Sequence, residues 1–275
     1  MIGNNASLNV HCFIHEDIKD LHVFRAWCRE KGHNLTFTNF KKDYQMPEMD
    51  QVDWLIITGS PLSVNDDVYF DFIKEEQAFL KEAIARGKAV LGICFGAQMI
   101  AKVLGKPVYN NIVHEYGWHR IHMTQNARQS EIFSVLPEEF TALLLHSQTL
   151  DLPDEALHLA SSEACANQAF IIDGRVIGLQ FHLEMIADNL GPEDMPEGAS
   201  GPYVQELEQI KGQAANFVYV NSLMFKLLDK IEDTVFPALD QGVPVEVVAL
   251  PGGFWRRHKR PLSFREARKR PSRLR

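Results

Sequence analysis

Two short segments of this 275-residue chain carry residue types that do acyl chemistry. Gly92-Ile93-Cys94-Phe95-Gly96 has the form G-x-C-x-G, a nucleophile elbow with sulfur in place of the serine oxygen. Small residues two positions either side of Cys94 permit a sharp turn and close packing. Gly178-Leu179-Gln180-Phe181-His182-Leu183-Glu184 is an apolar run that ends in His-x-Glu. Residues two apart on an extended segment face the same side, so Glu184 can hold one nitrogen of His182 while the other faces a thiol. Nucleophile, base and orienting carboxylate are then all present.

The surrounding pattern predicts elements that bring these residues together. Short apolar runs alternate with amphipathic stretches, as βαβ units around a mostly parallel sheet require. Strands are expected at Leu8 to Ile14, near Leu35 to Phe40, at Trp54 to Thr58 and at Ala89 to Ile93. Ile18, Leu21, Phe24 and Cys28 predict one helical face stopped at Gly32, and Phe72 to Ala83 a second helix ended by Gly87. The strand ending at Ile93 runs straight into Cys94, and Phe95 to Leu104 has helical composition. The cysteine therefore stands at a strand-to-helix junction, at the carboxyl end of a sheet where doubly wound folds bind ligands. Free N–H groups at the start of that helix favour a thiolate and can bind an oxyanion at Phe95.

From Tyr109 to Gln180 shorter strands dominate, with Asp173-Gly174 suited to a type I′ hairpin turn. Gly191 to Gly201 reads as a loop, followed by helices around Val204 to Lys211 and Phe217 to Ile231. The fold class expected is α/β: a flavodoxin-like, mostly parallel central sheet with flanking helices and a smaller antiparallel strand region. Domain organisation is expected as a catalytic unit over residues 1–240 and a basic, disordered tail over 241–275.

Composition narrows the chemistry. Hydrophobic residues make up 45% and charged residues 23%, a globular balance that excludes disorder as the main state. Residues 254–275 hold ten of the 28 Lys and Arg residues against the single acid Glu266, which leaves the rest with a net charge of −17. Such a body repels phosphate backbones, which argues against nucleic acid as a substrate. No run is long and apolar enough for a membrane span, and no secretory leader pattern opens the sequence, so a cytoplasmic location is expected. Among the four cysteines no C-x-x-C pair occurs, which removes thiolate metal sites; Cys12, Cys28 and Cys165 read as buried apolar fillers. His119 and His122 lie three apart in a strand and face opposite sides, which removes them as a chelating pair. No metal or cofactor is expected.

Four blocks in order carry a resemblance: Thr58-Gly59-Ser60-Pro61, Gly92-Ile93-Cys94-Phe95-Gly96-Ala97-Gln98, Glu115-Tyr116-Gly117-Trp118 and Gln180-Phe181-His182-Leu183-Glu184. Over residues 8 to 230 the chain resembles the class I, or triad, glutamine amidotransferases, most of all the amidotransferase half of GMP synthases. The resemblance implies that Cys94 attacks the side-chain amide of glutamine, that His182 shuttles the proton and that Glu184 orients it. It implies oxyanion donors at the backbone of Ser60 and Phe95, and substrate contacts at Gly59 and Gln98. Three departures stand out. Leu183 replaces the usual proline, which loosens the His182 to Glu184 geometry. Ser60 stands where the family has glycine, which would distort the oxyanion hole if the loop used positive φ. His146-Ser147-Gln148 lacks the acid of a family His-x-Asp segment and receives no catalytic role.

No Ser-Gly-Gly-type phosphate loop of the fused synthases occurs in the chain. The substrate expected is glutamine or another γ-glutamyl compound, and the ammonia passes to a partner synthase or is released by an enzyme acting alone. A catalytically silent regulatory subunit is the alternative from another class.

Overall fold

The computed structural model describes residues 7–15, 21–195, 198, 200–237, 246–249 and 255–258. The first half alternates strand and helix: β1 (Asn9–Ile14), α1 (His22–Lys31), β2 (Asn34–Asn39), β3 (Trp54–Ile57), α2 (Asp71–Ala85), β4 (Ala89–Ile93) and α3 (Phe95–Val103). Strands then dominate, with β5 (Val108–Met123), α4 (Gln125–Gln129), β6 (Glu139–Leu150), β7 (Leu157–Ser161), β8 (Ala169–Ile172) and β9 (Val176–Leu179). Two helices follow, α5 (Leu207–Lys211) and α6 (Ala214–Val235).

These strands form one sheet in the order β2-β1-β3-β4-β9-β8-β7-β5-β6. The pairs from β2 to β9 are parallel. Those from β9 to β6 are antiparallel. The expected antiparallel region is thus continuous with the main sheet, and β9 is the seam between the two halves.

Burial follows from the period-two geometry of a strand. Every residue of β3 and β4 is buried, as strands covered on both faces require. Trp54 and Ile56 point to one core with Phe24 and Trp27 of α1 and Leu223 and Leu227 of α6. Leu55 and Ile57 point to the other core, with Ile73 and Leu80 of α2 and Ile100 of α3. The sheet is therefore a middle layer between two helical layers. Both carboxyl-end strand tips that matter here, β4 and β9, are neighbours in it.

Local signals hold at several ends. Gly32 and Gly87 take positive φ after their helices, and Asp173 and Gly174 both take positive φ in the β8–β9 turn. Two helix starts depart from expectation: the helix expected around Phe217 begins at Ala214, and the one expected near Val204 begins at Leu207. Backbone groups of Tyr203 and Gln205 are engaged by Tyr116 of β5, and Val204 bridges Tyr116, so this stretch pairs with a strand. Ile18 and most of the basic run beyond residue 254 lie outside the described residues. Within 241–275, Glu246–Ala249 pairs antiparallel with Trp255–His258. Among the described residues no helix is long and apolar enough to cross a membrane.

Candidate active site

Cys94 follows β4 and caps α3 with φ 50 and ψ −102, a backbone region that side chains rarely occupy. Such a bend costs about 1–3 kcal/mol and persists only where the surroundings enforce it. Two glycines and one hydrogen bond enforce it here. A Cβ on Gly92 would stand 2.4 Å from the Gly96 carbonyl, and one on Gly96 would stand 2.3 Å from the Ile57 carbonyl oxygen of β3. The Cys94 N–H donates to Leu179 of β9 at 2.7 Å. The start of α3 is thereby seated directly on the sheet. Phe95 occupies its first position, where N–H groups have no partner within the helix.

The thiol is nearly buried and faces a cavity of about 470 Å³. Gln180 Nε2 donates to its sulfur at 3.5 Å, and the sulfur lies 3.8 Å from the Leu145 carbonyl oxygen of β6. His182 follows β9, and its N–H donates to the Leu143 carbonyl at 2.8 Å. Its Nδ1 lies 2.6 Å from Glu184 Oε1. Its Nε2 is buried and turned toward the Cys94 sulfur. Burial alone would lower the pKa of this imidazole. The Glu184 carboxylate and the Cys94 sulfur outweigh it and hold the pKa well above the usual 6.5. Away from this site, burial pushes the Cys12 and Cys165 thiols upward and Cys28 up to about 12.

Leu183 does not loosen the His182 to Glu184 geometry. Its backbone N–H, which proline would lack, donates to Glu184 Oε2 at 3.0 Å. Asn221 of α6 donates to the carbonyls of Leu183 and Met185, each at 2.9 Å. The segment is thus held by hydrogen bonds in place of a ring-fixed angle. Ser60 brings no strain either, because neither Gly59 nor Ser60 takes positive φ. Its Oγ accepts the Leu62 N–H at 3.2 Å.

Gly59, Ser60, Cys94, Gln98, His182 and Glu184 all line the one cavity. Gln98 is buried, and its amide nitrogen donates to the Gln148 carbonyl and to Gln180 Oε1, each at 3.2 Å. Both N–H donors of Gln98 are therefore committed, and the chain Gln98–Gln180 ends on the sulfur. Among the described residues no Lys or Arg lines the cavity, whose lining includes Asp66, Glu193 and Asp194. His114 contacts Ser147 Oγ, His119 packs edge-on to Tyr203 and His122 pairs with Glu139.

Several contributors were not assigned from the sequence. Glu115, fully buried, accepts from Ser162 and Gln168 and pairs with His146 at 3.1 Å, so His146 is a fixed part of the cavity wall. The Glu115-to-Trp118 block is scaffolding: Gly117 leaves room for Gln205, and Trp118 Nε1 donates to Ile210 of α5. His15, at the carboxyl end of β1, and Glu76 of α2 form a buried pair beneath the Gly59 loop. Only the position of His15 at the crevice end of a strand could have drawn attention to it.

Comparison with known proteins bears on the family and the fold. The family model described as glutamine amidotransferase class-I matches residues 22–197. The glutamine amidotransferase-like protein YfeJ of Salmonella typhimurium is 23% identical over 82% of this chain and 97% of its own length. A glutamine-hydrolyzing GMP synthase of Caldicellulosiruptor saccharolyticus is 33% identical over 50% of this chain, a match that takes in 26% of the synthase. The crystal structure of a glutamine amidotransferase from Thermotoga maritima shares the fold with a TM-score of 0.71 and 24% identity, covering 83% of this chain and 100% of that one.

Proposed function

We propose that this chain, which belongs to the class I glutamine amidotransferase family, hydrolyses the side-chain amide of glutamine with Cys94 as nucleophile, His182 as proton shuttle and Glu184 as its orienting carboxylate. The observation that carries this is the meeting of a strained, cavity-facing thiol with an imidazole already held toward its protonated form. Attack of the sulfur on the amide carbon places negative charge on oxygen. The Ser60 and Phe95 N–H groups are the donors for that charge. His182 gives its proton to the leaving nitrogen, the C–N bond breaks, and ammonia departs from a γ-glutamyl thioester. Water then loses a proton to His182 and attacks the thioester, which frees glutamate and the thiol.

Acidic groups in the lining, with no Lys or Arg there among the described residues, suit a substrate that carries an ammonium group, as glutamine does at its α-carbon. Other γ-glutamyl amides would use the same triad. The chain spans about a quarter of the matched Caldicellulosiruptor synthase, and a synthase that consumes the ammonia is the partner we propose. Catalysis is assigned to residues 1–240, with 241–275 as an extension outside it. The four unpaired cysteines suit a reducing compartment such as the cytoplasm.

The test is glutamate release by the full chain, with a diazo-ketone analogue of glutamine as a probe of the thiol. Stoichiometric labelling at Cys94, and loss of glutamate release in Cys94→Ala with the fold retained, are expected. An unlabelled Cys94 together with no release from any γ-glutamyl amide would overturn the proposal in favour of a silent binding subunit.

A further inference from the structure

Behind the cavity lies a further histidine–carboxylate pair. His15 and Glu76 are almost wholly buried, with His15 Nε2 3.0 Å from Glu76 Oε2. The other ring nitrogen, Nδ1, lies 3.3 Å from the Gly59 carbonyl oxygen. The ring also packs against Phe95, with centroids 4.6 Å apart, and stacks on Phe40. One imidazole therefore touches both Gly59, which precedes the Ser60 donor, and Phe95, which carries the other.

We propose that His15, held by Glu76, is a positioning residue that aims and polarises the Ser60 N–H for the oxyanion; this rests on the glutaminase function proposed above. Gly59 C=O and Ser60 N–H belong to one peptide unit, which is planar and trans, so they point in opposite directions. A donor fixed on the Gly59 oxygen fixes where the Ser60 hydrogen points. It also draws electron density toward that oxygen, which strengthens the Ser60 N–H as a donor.

The proton arrangement follows from the two partners. A carbonyl can only accept, so Nδ1 must carry hydrogen.

The test uses variants of the full chain on a Glu76→Gln background, in which no carboxylate is left buried alone. Glu76→Gln can still donate to Nε2 and keep hydrogen on Nδ1, so its kcat is expected within a few-fold of the parent. Adding His15→Phe removes the ring donor and leaves the Gly59 oxygen with the longer, 3.4 Å contact from Thr58 Oγ1, and kcat for glutamine is expected to fall about 10- to 100-fold with KM little changed, somewhat less than loss of a whole oxyanion donor. Replacing that change with His15→Asn, whose amide can donate from the Nδ1 position, should recover most of the loss. Alkylation of Cys94 by iodoacetamide forms no oxyanion, so its rate should be the same in all of them. An unchanged kcat in the His15→Phe variant would overturn the proposal. So would parallel losses in alkylation and turnover, or failure of His15→Asn to recover activity in a protein that melts like the parent. If the unaltered chain releases no glutamate, the glutaminase function falls first and takes this inference with it; if it does, these variants judge His15 alone.

Discussion

Gly59 lies against the edge of the His182 ring: a Cβ placed on it would stand 3.0 Å from Cε1 and 3.8 Å from the Cys94 Cβ. The absence of a side chain at this position lets the loop, the imidazole and the thiol approach one another. Gly59→Ala must push the ring or the loop by a few tenths of an ångström. Displacements of this kind cost rate far more than stability, and kcat is expected to fall at least about tenfold. Steady-state kinetics beside a thermal melt, with little change in Tm, checks it.

Leu183 and Asn221 together do what the family's proline does by covalent restraint. Leu183→Pro removes the N–H that holds Glu184 Oε2, while Leu183→Ala keeps it. Both lose buried apolar contact, at about 2–4 kcal/mol. Per folded molecule, only Leu183→Pro should lose glutaminase rate strongly. Active-site titration against unfolding curves separates the two effects.

Two histidines set opposite pH limbs. His182 has its folded pKa raised, so its stabilising contribution is present below about 6.5 and is lost as pH rises through the folded value. In the proposed mechanism acylation draws on the imidazolium proton, so it should decline on the alkaline side, at a pH above the ordinary histidine value. Glu184→Gln should move that limb down in a pH–rate profile of kcat/KM.

His11 is the reverse case, because burial lowers it from 6.5 to about 4. Between those values the unfolded chain binds a proton that the folded chain does not, so stability falls as pH drops from about 6.5 toward about 4. The full effect is on the order of 3 kcal/mol. Urea unfolding across that range should show a shallower loss in His11→Gln.

Gly96→Ala would drive a methyl group into the Ile57 carbonyl, a backbone atom that cannot swing aside. A loss of about 3 kcal/mol or more is expected, read as a lower urea midpoint.

Legibility in the sequence followed distance along the chain. The Cys94 elbow, the Gly32 and Gly87 stops and the Asp173-Gly174 turn are set by neighbours, and each stands where local chemistry puts it. The start of α5 departs from its periodicity because Tyr116, far away in sequence, captures the backbone of residues 203–205. Gln180 on the sulfur, Asn221 on the His182–Glu184 segment and Glu76 on His15 were illegible for the same reason. Each partner sits on another element, and nothing in local periodicity encodes the pairing. The doubts that Ser60 and Leu183 raise come from backbone habits of single residues, which a φ angle and an N–H settle only in three dimensions.

The seam of the sheet has a thermal consequence. Cys94 and His182 hang from adjacent parallel strands, registered at Gly92 with Gly178 and Ile93 with Leu179. Parting sulfur from ring would mean unzipping the centre of the molecule rather than bending a surface segment. Heat inactivation should therefore coincide with global melting, without an earlier phase in which the folded enzyme has gone silent.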